Sequence, residues 1–207
     1  MWDLADAARA GRLPGELRRH QLTAPRATGP AAWIDHLPGW VQGSDLVLQT
    51  LLDKVAWRAE RRPMYDRNVD VPRLLRWYGA GVPLPHPALT EALAELNRHY
   101  GAELGEPFLT AGMCLYRDGR DSVAWHGDTI GRGATSDTMV AIVSFGSPRS
   151  LLLRPRGGGE SVRFQLGHGD LVVMGGSCQR TWEHCIPKTA RVVGPRVSVQ
   201  FRPSGVA

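Results

Sequence analysis

Apolar and polar positions change their period along this chain, and the change falls near its middle. From Ser44 the apolar residues Leu46, Val47, Leu48, Leu51, Leu52 and Val55 recur at three and four residue spacing, which predicts an amphipathic helix over Asp45 to Arg58, capped by Ser44 or Asp45. A second helix is predicted from Pro87 to Tyr100. Pro87 sits in its first turn, Leu89, Leu93 and Leu96 form one stripe, and Gly101 is placed to end it. Between the two, VPRLLRWYGAGVPLP reads as strand and loop. After Phe108 the helical period disappears and short β-rich runs follow, separated by glycine turns. The clearest are Thr138 to Phe145, Leu151 to Arg154, Ser161 to Leu166, Asp170 to Met174 and Val197 to Phe201. Their spacing predicts an α+β, mainly β fold: an antiparallel barrel or jelly roll with the two helices packed outside one sheet. The first forty residues, broken by Pro14, Pro25, Pro30 and Pro38, are expected to form an irregular segment with a short helix near the N-terminus. The division expected is therefore an irregular 1–44 and a single domain over 45–207.

Composition narrows the class without choosing a function. Of 207 residues, 43% are hydrophobic and 22% charged, enough to bury a core and too ordered a mixture for a disordered chain. No apolar run approaches the roughly 18 residues of a membrane span, and the start MWDLADAARAGR lacks a secretory apolar segment. Cys114, Cys178 and Cys185 are too few for a disulfide framework, which points to a reducing, cytoplasmic setting. A net charge of +5 suits a polyanionic partner such as nucleic acid but does not require one.

Of the seven histidines, His20, His36, His86 and His99 have no acidic partner at ligand spacing and are read as structural. His126-Gly127-Asp128 differs, since residues two apart on a strand point to one face and present imidazole and carboxylate together. The same tripeptide recurs at His168-Gly169-Asp170. There it leads between glycines into the apolar strand LVVM, so Asp170 reads as a turn residue and the first copy is preferred. His184, in RTWEHCIPK, supplies a third ligand. Two histidines and one carboxylate leave open positions on a ferrous ion, as O2 activation with a chelating cosubstrate requires. Arg196 and Arg202, an even number apart on a predicted strand, share a face on which two guanidinium forks can grip a dicarboxylate, although the pair taken alone reads more simply as an exposed basic strand face. Trp77 and Tyr78 are candidates for the wall of a base pocket, with core packing as the alternative. Trp125 is expected in the core, because it neighbours His126 on a strand. A zinc site from Cys178 and Cys185 is disfavoured, because Cys185 would face away from His184.

Taken in order, DGRDSVAWHGD, HGDLVVMGG, TWEHCIPK and PRVSVQFR, preceded by PRLLRWYG at Pro72 to Gly79, resemble the AlkB family of 2-oxoglutarate and Fe(II)-dependent nucleic-acid demethylases over about residues 45–203. The resemblance implies a double-stranded β-helix. It assigns Fe(II) to His126, Asp128 and His184, the distal carboxylate of 2-oxoglutarate to Tyr116 and Arg196, and its metal-side carboxylate to Arg202. It also implies O2 as co-reactant, alkylated DNA or RNA as substrate, and repair by oxidative demethylation, in a chain expected to be monomeric. Three positions depart from the family pattern. Cys114 and Ser198 stand where it has asparagines, with Ser198 kept among the cosubstrate contacts, and Ile130 stands where many members carry an acid that meets the base. Arg132, two residues further on, is read as facing either a phosphate or solvent, with solvent preferred. Two rivals remain: an oxygenase of the same chemistry acting on a protein or small molecule, and a non-catalytic jelly-roll module that binds nucleic acid.

Overall fold

The computed structural model describes residues 8–15, 17–23, 31–64 and 67–206. In chain order these form β1 (Arg9–Ala10), β2 (Arg19–Leu22), β3 (Ala32–Leu37), β4 (Val41–Gln42), α1 (Ser44–Lys54), β5 (Arg61–Met64), β6 (Arg67–Asp70), β7 (Leu74–Tyr78) and α2 (Pro87–Leu104). The β-rich half follows as β8 (Thr110–Tyr116), β9 (Val123–His126), β10 (Val140–Gly146), β11 (Arg149–Pro155), β12 (Val162–Leu166), β13 (Asp170–Gly176), α3 (Cys178–Thr181), β14 (Trp182–Ile186) and β15 (Arg196–Arg202). A 3-10 turn at Arg132–Ala134 interrupts the link from β9 to β10. A seven-stranded antiparallel sheet, ordered β2-β3-β13-β10-β15-β8-β7, is accompanied by a four-stranded sheet ordered β12-β11-β14-β9.

Period-2 alternation places the two cores. On β10, Ala141, Val143 and Phe145 join a cluster with Val47 and Leu51 of α1 and Leu89, Ala92 and Leu96 of α2, while Val140 and Ile142 join Leu151, Leu153, Phe164 and Ile186 of the smaller sheet. The larger sheet is thus covered by helices on one face and by the second sheet on the other. β15 follows the same rule with a different content. Val197, Val199 and Phe201 enter the helix-side core, which leaves Arg196, Ser198, Gln200 and Arg202 to the face between the sheets. This is the jelly roll with external helices that the pattern predicts.

Three expectations need correction. The stretch 1–44 is not irregular throughout: β3 lies inside the larger sheet, paired with β2 and β13. Its prolines flank Ala32–Leu37 rather than interrupt it, so the strand keeps its ladder. The short helix expected near the N-terminus falls outside the described residues. The first predicted helix is shorter than expected, ending at Lys54, and its N-cap is Gly43 in the left-handed region rather than Ser44 or Asp45. The second runs past Gly101 to Leu104 and ends at Gly105, φ 75°, because the apolar contacts of the helix continue for another turn.

The N-terminal strands are held by one buried carboxylate. Asp35 of β3 accepts Arg19 Nε and Nη2, each at 3.0 Å, and Tyr100 Oη of α2 at 3.0 Å. The Arg19 guanidinium stacks 3.4 Å over Trp33, and the Trp33 indole lies against Gly175 of β13, where a Cβ would come within 2.1 Å of it. Gly175→Ala should therefore expel the indole from its seat. Overpacking of this kind costs about 1–3 kcal/mol, and at roughly 2–4 °C per kcal/mol for a chain of this size the thermal midpoint followed by circular dichroism should fall by several degrees.

Candidate metal and cosubstrate site

His126 ends β9 and His184 lies opposite it on β14, paired in register just before a bulge. Their ring centroids are 4.3 Å apart. Asp128 follows two residues beyond His126, and its Oδ1 lies 3.8 Å from His126 Nε2. One ligand atom from each of the three residues falls within 4.8 Å of the others. His126 Nδ1 donates to Ala124 O at 2.9 Å, which fixes the tautomer and leaves the Nε2 lone pair free. Burial pushes the His184 imidazole down to about 3, so it stays neutral and able to ligate. Burial alone would raise the Asp128 carboxyl, but the Arg202 guanidinium and the two imidazoles outweigh it and hold Asp128 down to about 2. Arg202 Nε and Nη2 both meet Asp128 Oδ2 at 2.8 Å. That engages one carboxylate oxygen and leaves Oδ1 for a cation.

The turn carrying Asp128 is held from both sides. Gln179 Oε1 of α3 accepts Asp128 N at 2.9 Å. A Cβ on Gly127 would lie 2.6 Å from Gln179 O, and one on Gly133 would lie 2.0 Å from Asp128 O. Only glycine lets these backbones approach so closely.

Behind the ligands lies a cavity of about 80 Å³, lined by Tyr116, Arg196, Ser198 and Arg202 as well as by all three ligands, with Ile142, Leu151, Leu166 and Ile186 as its apolar wall. Arg196 is 1% exposed. Its Nη2 donates to Ser144 Oγ at 2.8 Å, but Nε and Nη1 have no hydrogen bond of normal geometry among the described residues. Tyr116, paired with Arg196 across β8 and β15, places its ring centroid 5.1 Å from the guanidinium. Burial, reinforced by Cys114, pushes the Tyr116 phenol up to about 12 against the pull of Arg196, Arg73 and Arg149, so it keeps its proton and can donate. A buried guanidinium with idle donors is costly unless an anion completes it. The ligand set fits ferrous iron, and the idle donors that line the same cavity fit a carboxylate of 2-oxoglutarate.

An outer cleft of about 560 Å³ shares His126, Asp128, Cys114, Gln200 and Arg202 with this cavity and adds Arg76, Trp77 and Ile130. Trp77 is 48% exposed on its wall. Tyr78 is not: it packs into the helix-side core, since consecutive strand residues face opposite ways and cannot share a wall. Trp125 also departs from expectation, lying half-buried with the Arg154 guanidinium 4.2 Å above its ring. Arg132 is exposed, as expected, and pairs at the surface with Glu106. The second His-Gly-Asp copy is structural. Asp170 accepts Gly39 N and Gly167 N, and His168 Nδ1 accepts Gly146 N. Cys178 and Cys185 are buried free thiols, and neither belongs to a metal-ligand group among the described residues.

Sequence reasoning missed Gln179, Gln200, Arg73 and Arg149. Gln200 was accessible to the period-2 argument that paired the arginines, since it shares their face. Arg149 was not. Buried beneath Tyr116, it donates to the carbonyls of Asp118, Asp121 and Pro187, partners that only the folded loops supply.

Residues 37–202 match the model of the 2OG-Fe(II) oxygenase superfamily. The chain is 32% identical over 187 residues to human alpha-ketoglutarate-dependent dioxygenase alkB homolog 3, covering 80% of this chain and 64% of the relative. Over 158 residues it is 31% identical to human DNA oxidative demethylase ALKBH2, covering 69% of this chain and 60% of the relative. It thus spans less than two thirds of the length of either. The solved structure of OsALKBH1 shares the fold, with a TM-score of 0.58 at 13% identity over 82% of this chain and 97% of that one. A 2OG-Fe(II) oxygenase family oxidoreductase from Burkholderia pseudomallei gives 0.56 at 14% identity, over 84% and 87%. With the facial ligand set, the idle arginine donors and the jelly roll already in place, the chain belongs to the 2OG-Fe(II) oxygenase superfamily, in its AlkB branch.

Proposed function

We propose that this protein is an oxidative demethylase of alkylated nucleic-acid bases, working with Fe(II), 2-oxoglutarate and O2. One observation carries the reading: the outer cleft opens directly onto the metal-ligand set, with the Trp77 indole exposed along its wall as a stacking surface for a single base. A relative of similar sequence is named as a DNA oxidative demethylase, which supports the substrate class. When bound, iron and 2-oxoglutarate supply the oxidation of a C–H bond by O2, with the cosubstrate leaving as succinate and CO2.

The chain's own residues do the rest. His126, Asp128 and His184 would hold one face of the metal. Arg196 and Tyr116 would hold the distal carboxylate of the cosubstrate by charge-assisted and phenolic hydrogen bonds. Arg202 steadies Asp128 through Oδ2 and lies where it can also meet the metal-side carboxylate. Ile142, Leu151, Leu166 and Ile186 exclude water from the cavity. Trp77 would orient the base so that its methyl group faces the metal. A second reading, oxidation of a protein side chain or small molecule, is favoured by Ile130, 69% exposed at the cleft rim and offering no polar group to a base. The free state of all three thiols supports a reducing, cytoplasmic setting. Anaerobic titration with Fe(II) and 2-oxoglutarate, followed by formaldehyde detection on methylated oligonucleotides, separates the two readings. Formaldehyde from no oligonucleotide, with 2-oxoglutarate still consumed, would favour the second.

His126→Ala, Asp128→Ala and His184→Ala should each weaken Fe(II) binding on the order of a hundredfold or more, beyond the 10–100-fold typical of residues that merely support a ligand. His168→Ala should retain binding, as read by isothermal titration. Arg196→Lys should raise the Michaelis constant for 2-oxoglutarate by roughly ten- to a hundredfold, since charged hydrogen bonds contribute about 1.5–3 kcal/mol, while Fe(II) affinity stays. Arg202→Lys should lower both affinities, because a single ammonium cannot reproduce the two contacts to Asp128. Trp77→Ala should weaken oligonucleotide binding by about 1–3 kcal/mol at unchanged thermal stability. Tyr78→Ala should do the reverse, lowering the melting temperature with little direct effect on binding.

A further inference from the structure

Strand pairing sets three residues of three strands in one row. Trp77 of β7 is paired with Gly112 of β8, and Gly112 with Gln200 of β15, so all three present the same face to the outer cleft. Gly112 forms a notch between them. A Cβ there would meet Arg202 Nη1 at 2.9 Å, Gln200 Oε1 at 3.2 Å and Trp77 Cζ3 at 3.4 Å. Indole edge, amide oxygen and guanidinium thus converge over a residue with no side chain.

The orientation of the Gln200 carboxamide is set by its neighbours. Nε2 donates to Ser198 O at 3.2 Å and to Ser198 Oγ, which uses both of its N–H groups. Oε1 is left with the Cys114 thiol, a weak donor, at 3.9 Å as its contact among the described residues. Gln200 is only 8% exposed, so this is an acceptor largely withdrawn from bulk water and turned toward the cleft. It cannot serve 2-oxoglutarate, whose two carboxylates and ketone are themselves acceptors only. It needs an N–H donor, and the neighbouring indole shows where one would stand: on the edge of a base stacked against Trp77.

We infer that Gln200 is a specificity-determining residue of the base cleft, its Oε1 accepting a hydrogen bond from an exocyclic amine. Alkylated cytosine and adenine carry such an amine. A base with a carbonyl in that place would set two acceptors against each other and leave both without a donor, the arrangement by which a polar site rejects a near-isostere. The inference rests on the demethylase reading.

The test uses two oligonucleotides, one carrying 3-methylcytosine and one 3-methyluracil, which differ at C4 by amine against carbonyl. In the intact protein kcat/KM from formaldehyde release should favour the cytosine strand by tenfold or more. Gln200→Met, close in volume and unbranched, should bring the ratio within about threefold, with the loss falling on the cytosine strand. Gln200→Glu, which keeps an acceptor, should retain the preference and carries the test if the methionine variant does not fold. A ratio near one in the intact protein, or a ratio unchanged in Gln200→Met, overturns the inference while leaving the demethylase in place. A rise in the Michaelis constant for 2-oxoglutarate with the ratio preserved overturns it in favour of cosubstrate binding. Formaldehyde from neither strand with the intact protein defeats the demethylase reading, and this inference with it.

Discussion

The structure turns on a charge buried in the middle of a sandwich. Arg196 sits at the start of β15 with almost no exposure, and among the described residues it has one hydroxyl partner and two nitrogens unfulfilled. Such a group disfavours folding. It is tolerated because the other face of the same strand is committed to a core already filled by α1 and α2: Val197, Val199 and Phe201 are fully buried there. One side of the larger sheet supplies the stability, and the other keeps polar groups ready for a ligand.

The same division explains how the site is kept in shape before anything binds. Asp128 is locked by Arg202 on one oxygen and by Gln179 at its backbone, and the glycines at 127 and 133 let α3 and the 3-10 turn close around it. His126 is fixed through Ala124 O, and His184 through the ladder of β14. Each ligand therefore presents one free atom to a common point. Positioning of this kind avoids reorganisation when a metal enters, and His126, Asp128 and Arg202 line both the inner cavity and the outer cleft.

Residues that differ from the family pattern cluster where the two spaces meet. Cys114 and Ser198 face each other across β8 and β15, and Gln200 spans them through Ser198 Oγ. The carboxamide absent from the positions of the family's asparagines is present two residues further along the same face. There its amide donors are taken up by Ser198, and it lines the outer cleft.

Local periodicity determined a good deal by itself. Alternation along Arg196–Arg202 assigned both arginines to one face, and the spacing of His126 and Asp128 assigned imidazole and carboxylate to one ion. The glycine turn around Asp170 marked the second His-Gly-Asp copy as structural. These are statements about a side chain's direction relative to its own backbone, which a period of two or 3.6 encodes. Tertiary structure decided what each face meets. Alternation required Trp77 and Tyr78 to face opposite ways, but only the seating of α2 on the larger sheet determined that Tyr78 is the one buried. β3 entered the larger sheet despite flanking prolines because Asp35, Arg19 and Tyr100 could satisfy one another across distant segments. Gln179 reached Asp128 from a four-residue helix with no periodic signature. Contacts of that kind depend on distances between segments far apart in the chain, and no local pattern carries them.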